Sequence, residues 1–228
     1  MVATPHLLDN PARAALLGPQ AYLAERCGDV LRYPADMAPF IALPDKPEPA
    51  DWADLARLMR PRGVASTAGV AAEPPPGWEV LMRIDSVQMI DDHVAAAPDT
   101  EAVPLGPADV PEMLDLVART RPGPFLPRTV EFGGYLGIRR AGALVAMAGE
   151  RFRPPGWTEI SAVCTDAGFR GQGLAARLTL AVAAAIRDRG DVPFLHAAAD
   201  NRNAIRLYDA LGFRLRRPAM FVVVRLPR

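Results

Sequence analysis

Apolar residues recur with strand or helix periods along most of the chain, and the two kinds of segment interleave. Early on, "DVLRY" (29–33) and "FIAL" (40–43) predict short strands, and "DWADLARLM" (51–59) predicts a helix N-capped by Asp51. "WEVLMRIDSVQMI" (78–90) predicts one or two strands. Past residue 100 the pattern is cleaner. "EAVPL" (101–105) predicts a strand, and 107–120 a helix with Val110, Met113, Leu114 and Val117 on one face. "YLGIRRAGALVAMAGERF" (135–152) predicts a hairpin turning at Ala141-Gly142, and "TEISAVCT" (158–165) a further strand. Residues 171–189 predict a helix with Leu174, Leu178, Val182 and Ile186 along one stripe and Gly190 at its C-terminus. "PFLHAAA" predicts a strand, 201–211 a helix ended by Gly212, and "GFRLRR" with "AMFVVVRL" a closing hairpin. Interleaving of this kind implies an α/β or α+β fold with a mixed sheet.

Proline clusters punctuate the chain at 43–52, 71–78, 95–107, 121–127 and 153–157. The 95–107 cluster marks the best boundary, because regular alternation resumes on both sides. Two regions follow: residues 1–97, with secondary structure but no clustered chemistry, and residues 98–228.

Composition narrows the class without naming a chemistry. With 228 residues, 50% hydrophobic and 23% charged, the chain reads as an ordinary globular protein. Formal net charge is zero, so no global field recruits nucleic acid or an anionic membrane. Cys27 and Cys164 lie far apart and fit neither a disulfide framework nor a metal site. The N-terminus lacks a secretory pattern, and "LTLAVAAAI" and "MFVVV" are too short to span a bilayer, so a cytoplasmic location is expected.

The candidate chemistry begins at "CTDAGFRGQGLAARL" (164–178). Gly171 to Ala176 fits G-x-G-x-x-A, a weak dinucleotide signal. "DAGFR" separates these glycines from the preceding strand, and no acidic residue closes a second strand at the distance a ribose contact needs. A P-loop is excluded, since no Lys-Ser or Lys-Thr follows. Taken from Arg170, the string is R-x-x-G-x-A at the mouth of a helix. There, outward-pointing N–H groups bind phosphates, and small residues allow close approach. A second such string, "RPRGVA" (60–65), follows a helix and contains a proline, so its context is wrong.

A second stretch, "NRNAIRLYDALGF" (201–213), follows at one helix-strand-helix spacing. Together the two resemble the GCN5-related N-acetyltransferase (GNAT) superfamily. The match is to its Q/R-x-x-G-x-G/A signature and to its N-x-x-A-x-x-L-Y-x-x-x-G-F stretch, at Asn201, Ala204, Leu207, Tyr208, Gly212 and Phe213. "EISAVCTD" and "PFLH" are similar to its FR47-like branch. The resemblance covers roughly residues 100 to 228. It implies a splayed mixed sheet, acetyl-CoA as co-substrate, no metal, and transfer of an acetyl group to a primary amine by direct attack in a ternary complex.

Residue roles follow from that resemblance. Arg170, Gly171, Gln172, Gly173, Leu174, Ala175 and Ala176 form the pyrophosphate cradle, and Asn201 contacts the coenzyme while capping its helix. Val163, Cys164 and Thr165 end the strand that pairs with the pantetheine arm and supplies an oxyanion donor. Cys164, in an apolar strand with no adjacent histidine, is an inert thiol rather than a nucleophile. Tyr208 is the expected acid for the departing thiolate. Glu159, eleven residues before Arg170, matches the strand glutamate of histone-acetyltransferase-type members. Alternation places it on one face with Ser161, Val163 and Thr165. Glu150 is the rival base and His196 a weaker one. Arg139, Arg140, Arg151 and Arg153 read as solvated surface.

The acceptor, a small-molecule or peptide amine, is left open because acceptor loops vary freely on this fold. A non-catalytic acyl-CoA sensor is the alternative. Residues 1–97 have an order compatible with a degenerate copy of the same fold. They are expected to roof the acceptor cleft or to form a homodimer contact.

Overall fold

A computed structural model describes residues 6–59, 63–68 and 73–226. The described chain opens with a 3-10 turn (Leu7–Asp9), helix α1 (Pro11–Leu16) and a three-stranded antiparallel sheet of β1 (Glu25–Cys27), β2 (Val30–Arg32) and β3 (Ile41–Ala42). Helix α2 (Pro49–Met59) begins two residues before the expected cap. Asp51 lies inside its first turn and accepts from the N–H of Glu48 at 2.8 Å, so it reaches back to the cap rather than occupying it. Of the second R-x-x-G-x-A string, residues 60–62 lie outside the described residues, and Val64–Ser66 form strand β4.

Next come β5 (Glu79–Asp91), β6 (Val103–Leu105), α3 (Val110–Thr120), β7 (Tyr135–Arg140) and β8 (Ala143–Glu150). They are followed by β9 (Trp157–Thr165), α4 (Leu174–Asp188), β10 (Val192–Ala198), α5 (Arg202–Ala210) and β11 (Phe213–Arg225). Strands β4 to β11 form one eight-stranded sheet in the order β4-β11-β5-β10-β9-β8-β7-β6. Among the described residues of this sheet, only strands β9 and β10 pair in parallel, as a strand-helix-strand crossover through α4 requires. The expected class, a mixed sheet with interleaved helices, is therefore the observed one.

Two details differ from the reading by periodicity. The C-terminal hairpin does not form. β11 is a single strand that runs beside β5 from Phe213↔Asp91 to Arg225↔Glu79, with a bulge at Arg216 between Leu215 and Arg217. Pro218 lies within it and is tolerated because β4 covers only Val223 to Arg225, so the missing N–H faces an unpaired edge. In α3 the buried residues are Met113 and Leu116, whereas in α4 the stripe Leu174, Leu178, Val182 and Ile186 is buried as its spacing requires.

The sheet crosses the boundary expected at 97/98. β5 belongs to the first region yet is hydrogen-bonded by β10 on one side and β11 on the other. The core repeats this: Leu8, Tyr33 and Phe40 pack in one cluster with Phe132, Phe152, Phe194 and Phe221. α4 covers the opposite face over Ile138, Ile160 and Leu195. No helix of the described residues is long and apolar enough to cross a membrane.

Residues 98–228 alone leave β10 and β11 without the strand between them. That fragment should show no cooperative thermal transition by circular dichroism, in contrast to the full chain. A sigmoidal melt of the isolated fragment would show that its core closes without β5.

Candidate functional site: a cleft between parted strands

β9 and β10 pair only from Trp157↔Val192-level to Ile160↔Leu195-level, and then separate. Beyond that point β9 stays with β8, at Cys164↔Met147 and Thr165↔Ala146, while β10 stays with β5, at His196↔Gln88 to Ala198↔Ser86. The break coincides with a β-bulge. Ala162 has φ +53°, and two β9 residues stand where β8 offers only Ala148. The extra residue changes the parity of the strand. Ile160 and Val163, three apart, both pack towards α4, and Ala162 and Cys164 pack towards α3. The expectation that Glu159 shares one face with Val163 and Thr165 therefore fails, because simple alternation does not survive a bulge.

A cleft of about 710 Å³ occupies the opening. Ser161 to Thr165 line one wall and His196 to Ala198 the other, with Arg151 and Ile160 at the closed vertex. At the mouth lie Gly171, Gly173 and the first turn of α4. Asp166 orders the entry loop by accepting from the N–H of Gly168 at 3.0 Å and by pairing with Arg119 of α3. Gly171 and Gly173 have φ of +78° and +74°, a left-handed backbone that favours glycine. Both therefore precede the helix, which starts at Leu174 rather than at 171.

The first helical bond is Arg177 N–H to Gly173 O at 3.0 Å. Among the described residues the N–H groups of Gly173, Leu174, Ala175 and Ala176 donate to no backbone acceptor. These are the orphan donors of a helix start, carrying partial positive charge. A side chain built at Gly171 or Gly173 would meet nothing within 4 Å, so the space over them is open to a ligand. Thr165 Oγ1, in the cleft wall, is a buried hydroxyl oxygen with no partner. The first-turn donors, the open approach and the orphan hydroxyl fit a polyanionic coenzyme with an amide-bearing arm.

Arg170, Val163, Cys164, Asn201 and Tyr208 also line the cleft. Asn201 caps α5, its Oδ1 accepting from Ala204 N–H at 3.1 Å. Burial pushes the Cys164 thiol up, as an inert cysteine requires. Burial, with the nearby Cys164, pushes Tyr208 up to about 12, so its hydroxyl keeps its proton at any working pH. Gln172 is the one expected cradle residue that does not line the cleft.

The carboxylates lie elsewhere. Glu159 is fully buried and clamped by Arg151, Nε to Oε2 at 2.7 Å and Nη2 to Oε1 at 2.6 Å. Burial alone raises its pKa, but Arg151 and then His196 outweigh that and hold it down to about 2. A carboxylate so committed is a poor acceptor for an ammonium proton. Glu150 is also buried and pairs with Arg189 at 2.8 Å. Neither lines the cleft.

His196 does line it, yet both ring nitrogens are engaged. Arg216 donates to Gln88 Oε1 at 2.7 Å, which turns the Gln88 amide N–H₂ towards Leu8 O at 2.8 Å and His196 Nε2 at 3.0 Å. Nε2 thus accepts, and Nδ1 donates to Glu159 Oε1 at 2.6 Å. Arg151 is the residue that the sequence reading misplaced. Arg139, Arg140 and Arg153 keep 30–40% of their side chains exposed, whereas the Arg151 side chain is 12% exposed and stacks against Phe40 and Phe152 at 4.8 and 4.7 Å. Its position just past the apolar run of β8 was the available signal. Among the described residues no group of three or more His, Cys, Asp or Glu could hold a metal ion.

The FR47-like protein family model matches residues 135–222. A crystal structure classed with the acetyltransferases of the GNAT family, from Novosphingobium aromaticivorans, is 40% identical. The alignment covers 98% of this chain and all of that one, with a TM-score of 0.90. A GCN5-related N-acetyltransferase from Kribbella flavida is 19% identical over 99% of this chain and 97% of its own, with a TM-score of 0.65. A GNAT-family acetyltransferase from Colwellia psychrerythraea is 9% identical over 100% and 91%, with a TM-score of 0.54. The last two share the fold. No curated protein matches the chain.

The Glu159 clamp has a pH signature. Its folded pKa is lowered to about 2 from the ordinary 4.5, so its stabilisation is complete above 4.5 and lost as pH falls towards 2. In urea unfolding, Glu159→Gln should cost about 3 kcal/mol at neutral pH, leaving Arg151 uncompensated. It should also flatten the acid limb between those values. Unchanged stability at pH 7 would show that the pair is not what holds this layer.

Proposed function

Because the chain belongs to the GNAT family of acetyltransferases, we propose that it transfers an acetyl group from acetyl-CoA to a primary amine by direct attack in a ternary complex. The observation that carries this reading is the parted β9–β10 cleft with unsatisfied helix N–H groups at its mouth. In this reading the loop and first turn of α4, Gly171 to Ala176, hold the pyrophosphate, with Arg170 beside them. The β9 edge, Val163 to Thr165, pairs with the pantetheine arm, and Asn201 borders it. A backbone N–H of that edge donates to the carbonyl oxygen as negative charge develops there.

Tyr208 projects from α5 into the same cleft and donates its proton to the leaving sulfur. Neither Glu159 nor Glu150 takes the ammonium proton in this reading, because each is committed to an arginine outside the cleft wall. The proton leaves to water, and the cleft selects the neutral amine. For a lysine-like amine of pKa ~10.4 that selection costs about 4–5 kcal/mol at pH 7. Residues 6–59, packed over the β10–β11 face, close the acceptor side.

Three measurements test this. Gly173→Ala must place a side chain at φ +74°, which costs about 1–2 kcal/mol in the left-handed region and disturbs the cradle. Acetyl-CoA affinity by calorimetry should fall about tenfold, and undiminished affinity would remove the cradle from this position. Tyr208→Phe should lower kcat about 100-fold with coenzyme affinity retained. In the unaltered protein kcat/KM should rise about tenfold per pH unit between 6 and 9. A plateau setting in near neutral pH would instead mark a protein group as the base.

A further inference from the structure

Arg151 stands at the vertex of the cleft, where β9 and β10 come together, and the α4 cradle stands at the open end. Its guanidinium is fixed before any ligand arrives. Phe40, Phe152 and Phe221 surround it with centroids at 4.8, 4.7 and 5.7 Å, and Glu159 takes the Nε and Nη2 edge. The remaining edge is unspent: Nη1 makes no hydrogen bond among the described residues. Nor is Arg151 sealed off: it lines the cleft, and 12% of its side chain stays exposed. The other ionisable groups on the described cleft wall are Arg121, Arg170, His196, Cys164 and Tyr208, with no aspartate or glutamate. A polycationic acceptor finds no counter-charge there.

We propose that the free edge of Arg151 binds a carboxylate on the acceptor, so that the amine substrate is an amino acid or a similar carboxylate-bearing amine. This rests on the transfer reading above: with the pyrophosphate at the mouth and the thioester between the strands, the group reaching the vertex belongs to the acceptor. A planar, always-charged fork matches a carboxylate. Stacking on three rings removes the rotamer freedom that Arg151 would otherwise lose on binding. Glu159 holds the fork in place rather than competing for its open edge.

Thiol release from acetyl-CoA is followed with matched acceptors: an α-amino acid, its primary carboxamide and its decarboxylated amine. Counted per neutral amine, since the carboxylate also shifts the amine's pKa, kcat/KM should fall about 10- to 100-fold when the carboxylate is replaced, mainly through KM. Arg151→Lys keeps a cation beside Glu159 but not the fork, and should erase the difference between the acceptors. A second readout needs no turnover: with CoA saturating, the N-acetyl amino acid should bind at least tenfold tighter than its carboxamide by calorimetry. If the lysine variant does not fold, these comparisons on the unaltered protein decide. Equal rates per neutral amine for the three acceptors, with thiol release intact, would overturn carboxylate recognition and leave acetyl transfer standing. So would a preference for succinyl-CoA over acetyl-CoA with the carboxylate-free amine, which would assign Arg151 to the acyl chain. Selective binding of the carboxylated product without turnover of any amine would support the Arg151 site and count against acetyl transfer.

Discussion

The parting of β9 from β10 is the constraint on which the rest of the molecule depends. Two parallel strands that stayed paired would satisfy each other's backbone and leave no space between them. The bulge at Ala162 prevents this by holding β9 to β8 while β10 follows β5. The opening exposes strand backbone along one wall and brings α4, which must return over the sheet, to point its unsatisfied N–H groups at the mouth. The cavity and its exposed strand wall thus go with one irregular residue in one strand, and the helix end that every α-helix leaves unsatisfied meets them at the mouth.

An opened sheet needs support, and residues from the N-terminal half provide it. β5 pairs with β10 on the side away from the cleft and gives β11 its partner along 13 residues. Above this, Phe40 joins Phe152 and Phe221 in surrounding Arg151, which in turn clamps Glu159. Glu159 then orients His196, and Gln88 and Arg216 complete the chain out to Asp9 near the N-terminus. Buried charges are tolerated here because each meets an opposite charge with good geometry. The result is a rigid polar layer at the cleft vertex, built from both halves of the chain.

This layer also explains why neither carboxylate stands free in the cleft. Glu159 has the position of a base along the chain, but the arginine that makes its burial affordable also removes its basicity. The strand spacing that singles out Glu159 is the same whether its partner is water, a substrate amine or Arg151. What separates those cases is a contact between positions 151 and 159 across two strands, and no one-dimensional pattern contains it.

Local regularities carried through wherever they were enough to determine structure. The apolar stripe of α4, the turn at Ala141-Gly142 and the hairpin of β7 and β8 gave elements where expected. The glycines near Arg170 and the Asn201–Phe213 stretch located the helix mouth and the α5 wall. Those features depend on neighbours within a few residues, so the sequence by itself determined them. Tertiary structure decided the rest: the continuous β11, the insertion of β5 into the sheet, the parity change at Ala162 and the burial of Arg151. Each is a competition for long-range partners, and its outcome depends on which strand, ring or charge is nearest once the chain has folded.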